Sequence, residues 1–224
     1  VGYMYGTAGS STYEATHKNT NNSTIKTYIE NWYSQNFDET ATSKLEDTVF
    51  CNDRSTRAYD ATTIGDTNFS LYRALGYGKS ATFYGTAHRS SRFSLKPNPS
   101  LVCVNQNDKF TVNSKNGNGK LIYPVGLITL DEVILAGVNT YYSNQSDYQD
   151  TKNYLYTNSG YWTLSIVAYY SSGGSVMGYF GSNGDINTCY VDGSVGVRPV
   201  ISLKPETTIE PTGSGTTTNP YVVK

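Results

Sequence analysis

At 224 residues the chain is long enough to bury a sizeable core, and we expect one domain with at most an elaborated insertion. The net charge of -1 offers no basic field for counterion release, which argues against nucleic acid as a partner. Only 16% of the residues are charged, and Asn, Thr, Ser and Gly are abundant. This balance, with 21 Tyr against 7 Phe, is typical of secreted or cell-surface proteins built of strands and turns.

Residues 1–22 are polar and rich in Thr, Ser and Asn, which predicts a stalk or entry segment before a domain spanning 23–224. The start at Val1 is consistent with a membrane or filament anchor upstream. Residues 23–33 then predict an amphipathic helix with Asn22 or Ser23 as its N-cap. The apolar residues at helical spacing are Ile25, Tyr28, Ile29 and Trp32.

Residues 37–99 mix small polar residues with short apolar pieces and predict a loop-rich excursion. A hairpin is expected between 109–113 and 120–123, because the Asn-Gly-Asn-Gly turn at 116–119 tolerates positive φ.

A second, short helix is predicted after Thr129. Thr129 and Glu132 have the spacing of a capping box, and Gly137 can end the helix. Asp131 and Glu132 at its start are interpreted as caps that favour the positive end of the helix dipole, and not as an acid/base pair. Leu130, Val133 and Ile134 are expected to face a sheet, and Leu127 and Ile128 to lead in as a strand.

From Tyr154 onward the pattern is strand and turn. Strands are predicted at 161–164, 175–176, 185–186, 190–191, 197–203 and 220–223. Two helices on a small, curved antiparallel sheet give an α+β fold class.

Two segments of this region carry a resemblance to a known family. Residues 162–165, Trp-Thr-Leu-Ser, and 196–203, Gly-Val-Arg-Pro-Val-Ile-Ser-Leu, resemble the segments that bracket the ligand-binding region in bacterial surface domains of C-type-lectin-like fold. Residues 51–55 and 123–129 extend the resemblance. It implies a C-type-lectin-like fold with a display segment at 161–203. The calcium-binding motifs of such lectins do not match, since residues 210–212 read Glu-Pro-Thr outside the expected loop.

Within that fold the chain is most similar to the variable proteins of diversity-generating retroelements. Retroelement mutagenesis scrambles adenines, and an Asn codon so treated never yields Lys, Glu, Gln or Trp. None of these four residue types occurs in 166–195, although Met177 has to be templated directly. The resemblance therefore implies a hypervariable surface.

Polar and aromatic side chains of the display segment are the candidate ligand contacts. In an alternating ladder Val176, Phe180, Ile186 and Val191 point inward and their neighbours outward. The candidates are Tyr169, Tyr170, Ser171, Ser172, Met177, Tyr179, Asp185, Asn187, Thr188, Tyr190, Asp192 and Ser194. Tyr offers contact area at low entropic cost, while Ser and Asn adapt their hydrogen bonds. The alternative is an ordinary hairpin surface with no ligand.

Trp162 and Arg198 are interpreted as structural residues. A large aromatic residue on a strand belongs in the core, and an arginine on an apolar strand is expected to pair with a carboxylate or with backbone carbonyls.

The three cysteines leave two interpretations open. In an oxidising compartment Cys51 and Cys103 would form a disulfide and leave Cys189 unpaired; otherwise all three are small buried thiols. With no Cys-x-x-Cys pair and only two His, we expect no metal site and no cofactor.

These features predict an extracellular ligand-binding or adhesion domain that is not an enzyme, because no nucleophile, base and orienting group can be assembled. The ligand at the variable surface is an unknown protein or glycan. The alternative is a structural, pilin-like subunit of a surface filament.

Overall fold

A computed structural model describes residues 19–20, 22–55, 81–90, 97–138, 153–170, 174–216 and 218–224. For residues 81–83, 88, 169, 170 and 174 only the backbone is described. The elements in chain order are α1 (Thr24–Asn36), α2 (Glu39–Ser43), β1 (Phe50–Cys51), β2 (Ala81–Phe83), α3 (Gly85–Arg89), a 3-10 turn (Gln106–Asp108), β3 (Lys109–Phe110), α4 (Leu130–Leu135), β4 (Tyr161–Tyr170), β5 (Gly174–Phe180) and β6 (Ile186–Tyr190).

The strands form two antiparallel sheets, so the α+β class is confirmed. β1 pairs with β3, and the larger sheet has the order β2-β4-β5-β6. The ladder between β4 and β5 shifts register between Trp162 and Ile166. There the buried Thr163 hydroxyl donates to the Gly178 carbonyl at 2.7 Å, which satisfies a backbone group beside the irregularity.

The larger sheet lies between two apolar clusters. Residues directly opposite each other in a ladder share a face, and Tyr161, Phe180 and Ile186 meet across β4, β5 and β6. This face packs on α4 through Leu130 and Val133, in what we call the α4 cluster. The opposite face presents other β4 side chains to the α1 cluster, whose buried members are Ile29, Tyr33, Leu45, Phe50, Phe110, Leu121, Val125, Leu127, Trp162 and Leu164.

The second helix predicted from the sequence is α4, and both of its ends follow the sequence signals. Thr129 Oγ1 accepts from the Glu132 amide at 3.1 Å, and Glu132 Oε2 accepts from the Thr129 amide at 2.7 Å, so the capping box is confirmed. Gly137 follows the helix with φ of 91°. Leu130 packs so closely on Gly178 that a Cβ there would overlap its side chain.

The first helix begins where predicted, with Ser23 as N-cap, but buries a partly different face. Tyr28 is 57% exposed, contrary to the prediction. Lys26 and Glu30 are buried instead, because their ion pair at 2.7 Å satisfies both charges and Glu30 also accepts from the Ile122 amide at 3.0 Å. The inward face of α1 thus includes the ion pair of Lys26 and Glu30.

A second buried ion pair lies below β1 and β3. The Arg54 guanidinium is fully buried and contacts Asp108 at 2.6 Å, while Arg54 also donates to Asn19 Oδ1 at 3.0 Å. These bonds join Asn19, the 51–55 stretch and the 3-10 turn. Cys51 and Cys103 form a disulfide that ties the same region together, and Cys189 is a free, half-buried thiol.

The predicted hairpin of 109–113 with 120–123 is wrong. Lys109–Phe110 pairs with the distant segment Phe50–Cys51 and not with 120–123. Residues 120–123 form no strand and meet the first arm through one backbone bond, from the Leu121 amide to the Thr111 carbonyl at 3.0 Å. Gly119 has φ of 63°, as its turn requires.

Four further strand predictions are corrected. Leu127 and Ile128 form no strand, although the Ile128 carbonyl accepts from the Leu164 amide. Residues 197–203 form no continuous strand and have isolated bridges from Val200 to Gly126 and from Leu203 to Leu45. Residues 220–223 likewise have one bridge, from Val223 to Ile209. The predicted strands at 185–186 and 190–191 are one strand, β6.

Candidate functional site

The β5–β6 hairpin and the turn at 191–195 contain most of the predicted ligand contacts. Ser171 and Ser172 lie outside the described residues, as do the side chains of Tyr169 and Tyr170. The backbone of Tyr169 and Tyr170 continues β4, opposite Ser175 and Gly174 of β5. The backbone of these two residues therefore forms the end of β4 within the sheet.

The predicted contacts are divided between the two faces of the sheet. Tyr179 is opposite Trp162 on one side and Asn187 on the other, and Met177 is opposite Cys189. Met177, Tyr179, Asn187 and Cys189 are half-buried, and all of these except Asn187 pack against the α1 cluster. Because this face of the hairpin packs on the core, its side chains are only partly available to a ligand.

Tyr190 and Thr188 lie on the other face. Tyr190 is opposite the buried Val176 and is 41% exposed, and Thr188 is half-buried opposite Gly178. Together with the following turn, Tyr190 forms the most exposed part of the hairpin.

The turn after β6 is fixed by its backbone. The Val191 amide donates to Ser175 at 3.1 Å, and the Gly193 amide donates to Tyr190 at 2.9 Å. Asp192 and Ser194 are exposed here, as predicted for display positions. Val191 is exposed as well, contrary to the prediction that it points inward, because β6 ends at Tyr190 and the alternation ends with it. We call Tyr190, Val191, Asp192 and Ser194 the tip.

Asp185 is not a surface residue. It is 7% exposed, and its Oδ1 has no hydrogen-bond partner among the described residues. The expectation that its side chain points outward to solvent is wrong, because the turn at 181–185 folds back on itself: the Gly181 amide donates to the Asp185 carbonyl at 2.7 Å.

Trp162 anchors the start of β4. It is 5% exposed, in the place that the sequence predicts for it, and its amide donates to Gly196 at 2.9 Å. Gly196 in turn donates to Gly160 at 3.0 Å, so the two bracketing segments are hydrogen-bonded to each other.

Arg198 stabilises this junction through a backbone carbonyl and an aromatic ring. Its Nη1 donates to the Leu155 carbonyl at 2.9 Å and to the Tyr161 hydroxyl at 3.3 Å, and its guanidinium lies 5.4 Å from the Tyr161 ring centroid. Burial raises the pKa of Tyr161, and the nearby Arg198 only partly offsets this effect.

A second feature, which the sequence did not predict, is an ion-paired cluster beside β1. Arg89 of α3 donates to Asp131 of α4 at 2.7 Å and contacts Asp53 at 2.8 Å. Burial alone lowers the pKa of Arg89, but the hydrogen bonds and charges of the two aspartates outweigh it and raise that pKa. Asp131 is thus a buried ion-pair partner as well as a first-turn residue. These residues lie too far apart in sequence to form a recognisable motif.

The cluster borders a cavity of about 190 Å³. Apolar residues form part of its wall, among them Phe50 and Leu127, and the polar part includes Arg89, Asp131 and Ser165. Ser165 accepts from the Leu130 amide at 3.0 Å and Asp131 from the Ser100 amide at 2.9 Å. These polar groups hold α3, α4 and the 97–100 segment against the sheet.

Comparison of the chain with protein-family models, with curated proteins and with solved structures finds no match. Among the helices that the structure describes, none has both the length and the apolar character of a membrane span. The same residues contain no group of three or more His, Cys, Asp and Glu side chains placed to hold a metal ion.

Proposed function

We propose that the chain is an extracellular ligand-binding or adhesion domain of C-type-lectin-like fold, whose variable surface is diversified by a retroelement. The observation that carries the proposal is the division of one hairpin into anchored and exposed positions. Val176, Phe180 and Ile186 are buried in the α4 cluster, while Tyr190, together with the turn that follows it, is exposed.

This division lets the exposed side chains change without disturbing the interior. Surface substitutions away from buried contacts usually change stability by no more than about 0.5 kcal/mol, whereas truncation of a core residue costs about 2–5 kcal/mol. The backbone bonds of Val191 and Gly193 do not depend on tip side chains, so the turn can keep its course when Asp192 or Ser194 changes.

The tip has the chemistry of an adaptable binding surface. Tyr190 offers aromatic area, while Asp192 and Ser194 offer hydrogen-bonding groups beside it. Affinity would come from the aromatic side chain entering a recess of the partner, surrounded by polar contacts. Tyr179, Met177 and Asn187 would be less free to vary than the tip, because each is half-buried.

The bracketing segments support the C-type-lectin-like assignment. The Trp162 amide bonds to Gly196, and residues 196–200 continue to the bridge between Val200 and Gly126. Three of the four stretches that bear the resemblance, 123–129, 162–165 and 196–203, thus meet beside the α1 cluster.

Diversification is tested by sequencing the DNA around the gene. The proposal predicts a near-copy of the region coding for 162–203 that differs mainly at adenines, close to a reverse transcriptase gene. A complete genome without such a copy would contradict it.

Ligand binding is tested separately on glycan and surface-protein arrays. Tyr190→Ser combined with Asp192→Ala should lose the signal that the unaltered chain gives. Tyr221→Ser is the matched control, because Tyr221 is a similarly exposed tyrosine outside the hairpin. Equal signals from both variants would show that the tip is not the binding surface.

A further inference from the structure

The turn between β5 and β6 contains a carboxylate oxygen that the protein leaves unsatisfied. Asp185 Oδ1 is buried and accepts no hydrogen bond from the described residues. Burying such a group without a partner is costly, and charges in protein interiors are paired or coordinate metals. This oxygen therefore needs a ligand.

A second side-chain oxygen lies beside it. A Cβ placed on Gly181 would overlap Asp185 Oδ1 and would lie 2.7 Å from Asn183 Oδ1. The two side-chain oxygens thus lie close together beside Gly181, and the Asp185 oxygen occupies the place that a Cβ would take at any residue other than glycine. An oxygen pair of this kind, one carboxylate and one amide, suits a hard cation.

The backbone of the turn is preformed. The Gly181 amide donates to the Asp185 carbonyl at 2.7 Å, and the Gly184 amide donates to the Gly181 carbonyl at 3.1 Å. Gly184 has φ of 87°, which favours glycine. Binding would therefore require little rearrangement of the chain.

We propose that the turn at 181–185 binds a calcium ion through Asp185 Oδ1 and Asn183 Oδ1, with water completing the coordination. Ca²⁺ accepts six to eight oxygen ligands in flexible geometry, whereas Mg²⁺ demands a regular octahedron. One carboxylate makes the site weak, in the range of about 0.1–1 mM that is known for extracellular calcium modules. The turn lies at the end of the hairpin opposite the tip, so this site is independent of the proposed display function.

The test is thermal unfolding of the full chain, stripped of metal with a chelator, in CaCl2 or MgCl2 at constant ionic strength. A ligand that binds only the folded state raises the melting temperature. At calcium tenfold above its dissociation constant, we expect a rise of about 3–6 °C. Magnesium should give a smaller rise.

Asp185→Asn should abolish the calcium-dependent rise, and Asp192→Asn is the matched control that should keep it. Asp192 is an exposed aspartate of the same hairpin and does not face the site. If Asp185→Asn fails to fold, Asn183→Ala replaces it in the test, because Asn183 is only half-buried. The calcium-dependent rise in the melting temperature of Asn183→Ala should be at most half that of the unaltered chain at the same calcium concentration. No calcium-dependent rise in the unaltered chain, or an equal rise in all variants, would overturn the proposal.

Discussion

The Tyr179 ring packs edge-on against the Trp162 ring, with 6.1 Å between the ring centroids. The two residues are direct cross-strand partners in the ladder between β4 and β5. A predicted display residue therefore rests on a core residue, and the boundary between scaffold and surface runs through this pair. Positions on the Trp162 side should be sensitive to substitution, and those at the tip tolerant.

Trp162→Ala should lower the free energy of unfolding by about 3–5 kcal/mol, because it removes a large buried side chain from the α1 cluster. Urea denaturation followed by circular dichroism measures this change. Tyr190→Ser, on the exposed part of the same sheet, is the control and should change stability by less than about 1 kcal/mol. Similar losses for both variants would show that the division between scaffold and surface is wrong.

Removing the disulfide with Cys51→Ala and Cys103→Ala should destabilise the protein by about 4 kcal/mol in the chain-entropy model, since the bond spans a sequence separation of 52 residues. Melting temperatures of the unaltered chain with and without reductant should differ in the same direction. A double variant that melts like the oxidised chain would contradict this contribution. Cys189→Ala is a control, because Cys189 is not bonded.

Arg198→Met should lower stability by about 1.5–3 kcal/mol, because a charged donor to the buried Leu155 carbonyl is lost. Arg198→Lys keeps the charge but not the planar guanidinium that lies over Tyr161, and we expect an intermediate loss. Chemical denaturation of both variants gives the order. A lysine variant less stable than the methionine variant would be inconsistent with the geometry.

Alkaline pH should reduce stability through Tyr161. Burial raises its folded-state pKa, so above about pH 10 the unfolded chain releases a proton that the folded chain retains. The stabilisation is fully present below about pH 10 and is lost as the pH rises toward the folded pKa.

Tyr161→Phe removes this titration and also the hydrogen bond to the Leu155 carbonyl, at a cost of about 1 kcal/mol at pH 9. The gap in unfolding free energy between the unaltered chain and the variant should narrow from pH 9 to pH 11. A constant gap would show that Tyr161 ionises equally in both states.

Local signals in the sequence predicted α1, α4 and parts of the two longest strands, but not the short helices α2 and α3. The Ser23 cap and the Thr129 and Glu132 capping box each act within a few residues, and the structure has both helices. The strands predicted at 161–164 and 175–176 lie within the longer strands β4 and β5. The α+β class follows from these elements, because the helices accompany sheets whose strands pair antiparallel.

Long-range pairing could not be predicted in the same way. Lys109–Phe110 pairs with Phe50–Cys51, and Arg89 with Asp131, through contacts between residues far apart in the chain. Turn chemistry at 116–119 favoured a local hairpin, but residues 120–123 form no strand and β3 pairs with β1. The role of Asp185 also depends on tertiary structure, because only the folded turn buries its carboxylate.

Whether the tip tolerates substitution better than the buried sheet positions is tested most directly with two libraries of variants, measured for folding by protease resistance. One randomises the tip at Tyr190, Val191, Asp192 and Ser194, and the other randomises four buried positions of the same sheet, Leu164, Val176, Phe180 and Ile186. We predict that most tip variants remain as resistant as the unaltered chain, whereas most buried-position variants are digested. Digestion of the two libraries to the same extent would contradict the account of a variable surface on a fixed scaffold.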